Sequence, residues 1–362
     1  MDTISLNIGI EPINNTILNL DILVKGVNSI QSPLGNTYCD FIKLNSNYEF
    51  NLKVSYPRFY KGINAFLVTN PTLCLEVNKY LVNSLGQVLS YQGYKISYIS
   101  LIRVDIPFTY YMPDDLTFEK YFNVFKIMAH IYHNTRANTI TADVKGIIDM
   151  ISTNIETVTF TSTRGSGGNK EITIYNQYLN IQRKTSSPVD FENYTNLYPD
   201  LKKRIRIEVC KRINRKSFSP LEFSNFNILG NYGDQCRKFL LDNLLNLEQL
   251  SFISHLYFQD LDLSFKNYIQ TYGRINYSHW LHLNKELLID YSIIRQVLQN
   301  NIPNPKTLES AITVVRKELL SIDSNIIVSN TISIIQDIRK IIKDYKFIPD
   351  EAQVLEFLEV LR

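Results

Sequence analysis

Tryptophan occurs once, cysteine four times and histidine five times in 362 residues, and each scarcity removes a class of site. Cys39, Cys74, Cys210 and Cys236 are scattered, with no CxxC pair; buried reduced thiols are expected rather than a disulfide framework or a zinc site. The histidines form no histidine-hydrophobe-histidine triplet. His130 and His133 fall three apart on a helical segment, and His279 and His282 straddle Trp280, but neither pair has a third ligand in view. No GxxxxGK[ST] loop exists, which argues against a built-in nucleotide-driven motor. No run of about 18 apolar residues is present to cross a bilayer. The opening MDTISLNIGIEP lacks a basic n-region and a cleavage signal, so no export and a cytoplasmic location are expected. Internal repeats and low-complexity tracts are absent.

What is there is enough apolar material for a real core: 44% hydrophobic residues, 12% of the chain aromatic. Length alone allows one large domain or two ordinary ones. Up to about residue 215 short β-rich runs dominate: TISLNIGI, YEFNLKVSY, KISYISLIRVDIPF, TVTFTST, KEITIYN and RIRIEV. Helices fit 71–86, ending at Gly86, and 118–134; RGSGG at 164–168 reads as a hairpin tip, because glycine accepts the positive φ of a tight turn. After about residue 235 apolar positions recur three and four apart, with breaks at NNIPNP and FIPDEA. The expected architecture is α+β: an antiparallel-sheet domain over 1–220, then an all-helical domain over 221–362. The stretch 264–300 is compatible with a helix-turn-helix, and equally with plain helical packing.

Charge is unevenly placed. Residues 202–216, KKRIRIEVCKRINRK, carry eight basic side chains and one acid, net +7, against +3 for the whole chain; the remainder is therefore −4. Such a run ordinarily marks a solvated face. The alternative is a phosphate-binding strip, since non-specific affinity for DNA comes mainly from such charges. Three segments also carry polar groups on alternate positions. Arg103 and Asp105 share one side of LIRVDIPF; Glu171, Thr173 and Tyr175 one side of KEITIYN; Arg204, Arg206 and Glu208 one side of KRIRIEVCK. Each is an ordinary amphipathic strand by itself. Joined in one sheet, they gather carboxylates, a tyrosine and arginines on an open face, the makings of a metal-dependent phosphoryl-transfer site.

At these residues the chain resembles the rolling-circle replication initiators of filamentous phages and related plasmids, the gene II-type nickases. The resemblance begins at KVSYPRFYKGINAFLVTNPTLCLEVNKYL, where Pro57, Gly62 and Asn64 match a family pattern. It continues through SLIRVDIPF, ETVTFTSTRGSGGNKEITIYN and KRIRIEVCKRINRKSF, four segments in order over about 165 residues. It implies an α+β nicking domain and a DNA nicking-closing endonuclease acting through a 5′-phosphotyrosyl intermediate. Tyr175 is implied as nucleophile, and Asp105 and Glu208 as ligands of Mg²⁺ or Mn²⁺. Arg204, Arg206, Lys211, Arg212, Arg215 and Lys216 are the candidate DNA contacts. The implied partners are the origin DNA of a phage or plasmid and a host helicase and polymerase, with no membrane. The chain departs from the family at Gln177 and Asn180, where a basic residue and an acid are usual, and at Ile63, which replaces a histidine. A third ligand could come from elsewhere, such as Glu171, and Tyr178 is a second nucleophile candidate. The rival expectation is a non-catalytic DNA-binding or copy-control protein that keeps the fold.

Overall fold

The computed structural model describes residues 1–14, 17–64, 67–111, 122, 124–125, 140–145, 157–162, 170–185, 187–285, 291–322 and 331–344. They fall into two compact units, Met1–Tyr111 with Arg164–Leu240, and Met112–Thr163 with Leu241–Asp344. The division therefore lies about twenty residues beyond the expected boundary at 220, and the second unit takes in part of the N-terminal half. The expected helix at 118–134 and the hairpin tip at 164–168 lie largely or wholly outside the described residues, as do His130 and His133.

In the first unit the strands are β1 (Thr3–Pro12), β2 (Cys39–Ser46), β3 (Glu49–Ser55), β4 (Tyr94–Tyr111), β7 (Lys170–Asn176) and β8 (Arg204–Phe218). Their order is β2-β3-β1-β4-β8-β7, and these neighbours pair antiparallel. The strands alternate as the sequence alternates. Ile4, Leu6 and Ile8 of β1 and Val104, Ile106 and Phe108 of β4 are buried, as are Ile205, Ile207 and Val209 of β8.

Helix α3 (Pro71–Tyr91) packs on β4 and α1 (Leu20–Asn28) packs on α3. Asn70 caps α3 by accepting the Thr72 N–H, with Pro71 in its first turn, where a missing N–H costs nothing. The helix passes through Gly86, its expected end. Gly86 has no positive φ, and the buried stripe Leu73, Val77, Leu81, Leu85, Leu89 continues across it. One more buried leucine, worth about 1.5–3 kcal/mol, outweighs the ~1 kcal/mol cost of an internal glycine.

The short α6 (Pro220–Ser224) carries a complete capping box between Ser219 and Glu222 and packs on α3, β4 and β8. α7 (Ile228–Asp242) follows. Phe218, Phe223, Phe226 and Tyr232 form a chain of ring contacts through this region. That is why the first unit extends past 220: these helices bury their apolar faces in the core of the sheet unit.

The second unit contains an antiparallel pair, β5 (Ile140–Lys145) and β6 (Thr157–Ser162). Its helices are α8 (Leu247–Tyr272), α9 (Tyr277–Leu283), α10 (Tyr291–Asn301), α11 (Pro305–Ser321) and α12 (Thr331–Asp344). Gly273, at φ 69°, ends α8, and Trp280 of α9 is buried edge-on against Phe265. The described part of the 264–300 segment is thus the end of a long helix, a glycine turn, a short helix and, from Tyr291, most of α10. His279 accepts or donates a hydrogen bond with the Tyr268 hydroxyl and His282 pairs with the Ser278 carbonyl; each histidine has its own partner.

Candidate functional site

Register places the three polar-faced segments side by side. In β4 and β8, Arg103 pairs with Arg212 and Asp105 with Cys210. In β7 and β8, Glu171 pairs with Cys210, Thr173 with Glu208 and Tyr175 with Arg206. Directly paired residues project to the same side of a sheet, and so do alternate residues of one strand. Asp105, Glu171, Thr173, Tyr175, Arg206 and Glu208 therefore share one face, the side away from the Ile205–Ile207–Val209 row.

Tyr175 donates its hydroxyl proton to Glu208 Oε1, and Arg206 Nε lies 3.1 Å from the same oxygen. Tyr175 stands next to the end of its strand because Asn176 caps helix α4 (Gln177–Lys184), accepting the Leu179 N–H. The cap switches the chain from strand to helix one residue past the phenol.

Two further residues enter from elsewhere in the chain. Asp105 binds the start of β1 twice: its carbonyl accepts the Asp2 N–H at 3.1 Å and its Oδ2 accepts the Thr3 hydroxyl at 2.5 Å. This brings the Asp2 carboxylate to Arg206, with Oδ2 3.3 Å from the guanidinium. The short helix α2 (Tyr56–Lys61), capped by Ser55, ends at Gly62 with φ 74°. There a side chain would be strained, and an added Cβ would lie 3.0 Å from Asn36 Oδ1. This turn leads to Asn64. Asn64 donates to Asp2 Oδ2 at 3.0 Å, and its carbonyl accepts Arg206 at 3.0 Å and the Gln177 amide at 2.8 Å. Asp2, Asn64 and Gln177 had no place in the sequence reading of the chemistry, beyond Asn64 in a motif and Gln177 as a departure.

Arg206 is fully buried and Asp2 nearly so. One guanidinium faces two carboxyl groups, and the two behave oppositely. Burial raises the Glu208 carboxyl well above its ordinary range, and the neighbouring Asp2 charge adds to it. Burial pushes Asp2 upward too, but Arg206, with hydrogen bonds from Glu208 and Asn64, holds it at about 2. In the resting pair the proton therefore belongs to Glu208. Burial also raises the Tyr175 phenol well above its ordinary value, Arg206 opposing and Glu208 reinforcing.

Asp105 is engaged otherwise. Its Oδ1 accepts Arg103 Nε at 2.7 Å, and Arg103 also reaches the Cys210 sulfur at 2.9 Å. With Thr3 on the other oxygen, both Asp105 oxygens are committed. Among the described residues no group of three or more His, Cys, Asp or Glu side chains is gathered as metal ligands would be. What fits a hard cation is the Asp2–Glu208 pair: Asp2 Oδ1 is buried with no hydrogen-bond partner, and carboxylate and amide oxygens are the donors that Mg²⁺ and Mn²⁺ prefer.

The basic run divides. Arg204 is buried and forms a two-pronged pair with Asp200, at 2.7 and 2.9 Å, and its guanidinium lies over Tyr198. Arg212 is exposed on the site face, since it pairs with Arg103. Lys211 belongs to the opposite face by alternation; it bonds Gln235 and covers the Tyr232 ring. Lys216 lies over Phe226, 4.4 Å from the ring centre. Arg215 is in β8, but its side chain is outside the described set. Tyr178 packs against Phe191 of helix α5 (Pro188–Leu197), with Lys202 over its ring, in the small cluster of Ile181 and Leu201. Two exposed cations to which the sequence assigned no DNA contact, Lys53 of β3 and Lys184 of α4, stand within electrostatic reach of Asp2. No protein-family model, curated protein or solved structure matches the chain, and no helix among the described residues is long and apolar enough to cross a membrane.

Proposed function

We propose that the chain is a DNA nicking-closing endonuclease that starts rolling-circle replication, with Tyr175 as nucleophile. The observation that carries this reading is the Tyr175 hydroxyl donating to Glu208 at the end of a strand, on a face with Asp2, Asp105 and Arg206 and with exposed Lys53 and Lys184 at its edge. In the step, the Tyr175 oxygen bonds to phosphorus as the bond from phosphorus to the 3′ oxygen breaks. After Glu208 has released its resting proton to solvent, the phenol proton passes to Glu208 Oε1, and the departing 3′ oxygen takes a proton from water. A carboxyl raised above its ordinary range is a better base than an ordinary one, which suits it to receive that proton. The products are a 5′-phosphotyrosyl link and a free 3′-OH, which primes a host polymerase. Reversal, with a 3′-OH attacking and the proton returning to the tyrosine, reseals the strand. Lys53, Lys184 and Arg212 draw in the DNA backbone, while Arg206 holds the carboxyl pair and Asp105 fixes the start of β1. When bound, Mg²⁺ or Mn²⁺ supplies Lewis-acid polarisation of the phosphodiester; Asp2 and Glu208 are the residues that would hold it.

A second reading, a DNA-binding copy-control protein that keeps the fold, is favoured by the burial of Tyr175, 5% exposed, and by Gln177 and Asn180. The experiment is a supercoiled-plasmid nicking assay on DNA from the chain's own replicon, with and without Mg²⁺ or Mn²⁺. The covalent adduct is detected by gel retention after denaturation. Wild type is expected to nick and to form the adduct. Tyr175→Phe is expected to do neither while still binding origin DNA. Adduct formation that survives Tyr175→Phe but not Tyr178→Phe would overturn the choice of tyrosine, and a wild type that never forms an adduct would leave the copy-control reading.

A further inference from the structure

The acids at the centre of the face are half-satisfied in a regular way. Arg206, Tyr175 and Asn64 bind Asp2 through Oδ2 and Glu208 through Oε1. Asp2 Oδ1 is shut off from solvent with no hydrogen-bond partner, although Glu208 reaches the Asp2 carboxyl through a side-chain hydrogen bond. Two more buried acceptors next to them lack a donor: Asn64 Oδ1 and Gln177 Oε1, on side chains whose amide nitrogens are already in use. Gln177 is only 1% exposed. A buried oxygen without a donor is costly, and several in one place point to a missing positive group.

We infer that Asp2, a residue outside every recognised motif, joins Glu208 in holding one divalent cation of the Mg²⁺ or Mn²⁺ class, with the amide oxygens of Asn64 and Gln177 beside it. Asp105 takes the part of a positioning residue, fixing Asp2 through the Asp2 N–H and the Thr3 hydroxyl rather than meeting the ion. The ion's role in DNA cleavage rests on the nicking reading; its binding does not.

The test is a titration of the full-length chain with MnCl₂ alone, followed by the electron paramagnetic resonance of free Mn²⁺ and by calorimetry. Wild type is expected to bind one ion, and Asp2→Asn to bind it at least about tenfold more weakly, as losing a ligand should cost no less than losing a supporting group. Asp40→Asn, an acid in a half-buried pair with Arg58, serves as the unaffected comparison. If Asp2→Asn fails to fold, judged by circular dichroism, wild type alone decides: bound Mn²⁺ should broaden the side-chain amide resonances of Asn64 and Gln177 before those of Asn45 and Asn51. Equal Mn²⁺ affinity of wild type and Asp2→Asn, or broadening elsewhere first, overturns the assignment. No Mn²⁺ binding at millimolar concentration also overturns it and leaves a shared proton as the sole neutraliser. Mn²⁺ binding through Asp2 without any DNA adduct keeps the cation site and discards the nicking reading.

Discussion

Arg206 shows how little a residue's type says about its duty. In the sequence it is one more cation in a run of eight, on a face with Glu208. In the fold it is sealed from solvent between two acids and a carbonyl. Breaking a buried ion pair by deleting one partner costs about 3–5 kcal/mol, because the other partner is left charged in a poor solvent. Arg206→Met is therefore expected to lower stability by that order in urea denaturation, whereas a mere phosphate contact would leave it unchanged. Glu208 gives a second expectation, with a definite sign. Its carboxyl is raised in the folded chain, so its contribution is fully present below its unfolded value near 4.5 and is lost as pH rises through the raised folded value. Asp2 runs the other way: held at about 2 against 3.8 unfolded, it contributes above 3.8, and that contribution is lost as pH falls through about 2. The melting temperature should thus decline as pH rises above 4.5, and Glu208→Gln should flatten that decline while leaving the acid limb intact. Unchanged slopes in the variant would show that Glu208 is not the group that titrates. Tyr175, Glu208 and Asp105 were legible in the sequence because period two fixes sidedness within each strand. Asp2 was not, since its partners lie 103 and 204 positions away and nothing local marks it.

At the scale of elements, alternation at Lys211 and a register irregularity between Arg212 and Lys216 sorted one basic strand into two surfaces. Arg212 faces the site, while Lys211 and Lys216 ride on the rings of Tyr232 and Phe226. A cation over an aromatic face is held by the ring's quadrupole and is less ready to meet phosphate. Replacing Lys53 and Arg212 by alanine is expected to flatten the dependence of log affinity on log salt by about 0.7–0.9 per lost contact. The pair Lys211→Ala, Lys216→Ala should leave the slope nearly unchanged and instead lower the melting temperature slightly. The opposite pattern would put the DNA on the other face of the sheet. The strand β8 and its polar side were readable from RIRIEV; the divided use of its cations was not, because it depends on which strands lie beside it. Helix α3 gives the same lesson: Gly86 is a good stop signal locally, and the buried row of leucines on β4 overrides it.

Across the whole molecule, helical periodicity marked where helices begin but not where the first unit ends. α6 and α7 belong with the sheet: Asn78 of α3 donates to the carbonyls of Phe223 and Phe226 at 3.5 and 3.3 Å, and the Phe218–Phe226 stack closes that corner. A chain cut at 220 is expected to melt well below one cut at 244, since it loses Phe223, Phe226 and Tyr232 from the core, and a buried aromatic removed typically costs about 3–5 kcal/mol. Equal melting temperatures would mean that these helices add nothing to the sheet.

The order of the strands has a further consequence, in time rather than in space. Among the described residues β8 is the last strand of its sheet to be synthesised, yet it lies in the interior, between β4 and β7. Pairings this distant along the chain form late. While a ribosome is still short of residue 218, Tyr175 has no Glu208 to receive its proton, and Asp2 has no Arg206. An unfinished chain thus carries the tyrosine but not the means to use it, so the ability to cut DNA comes only with the completed sheet.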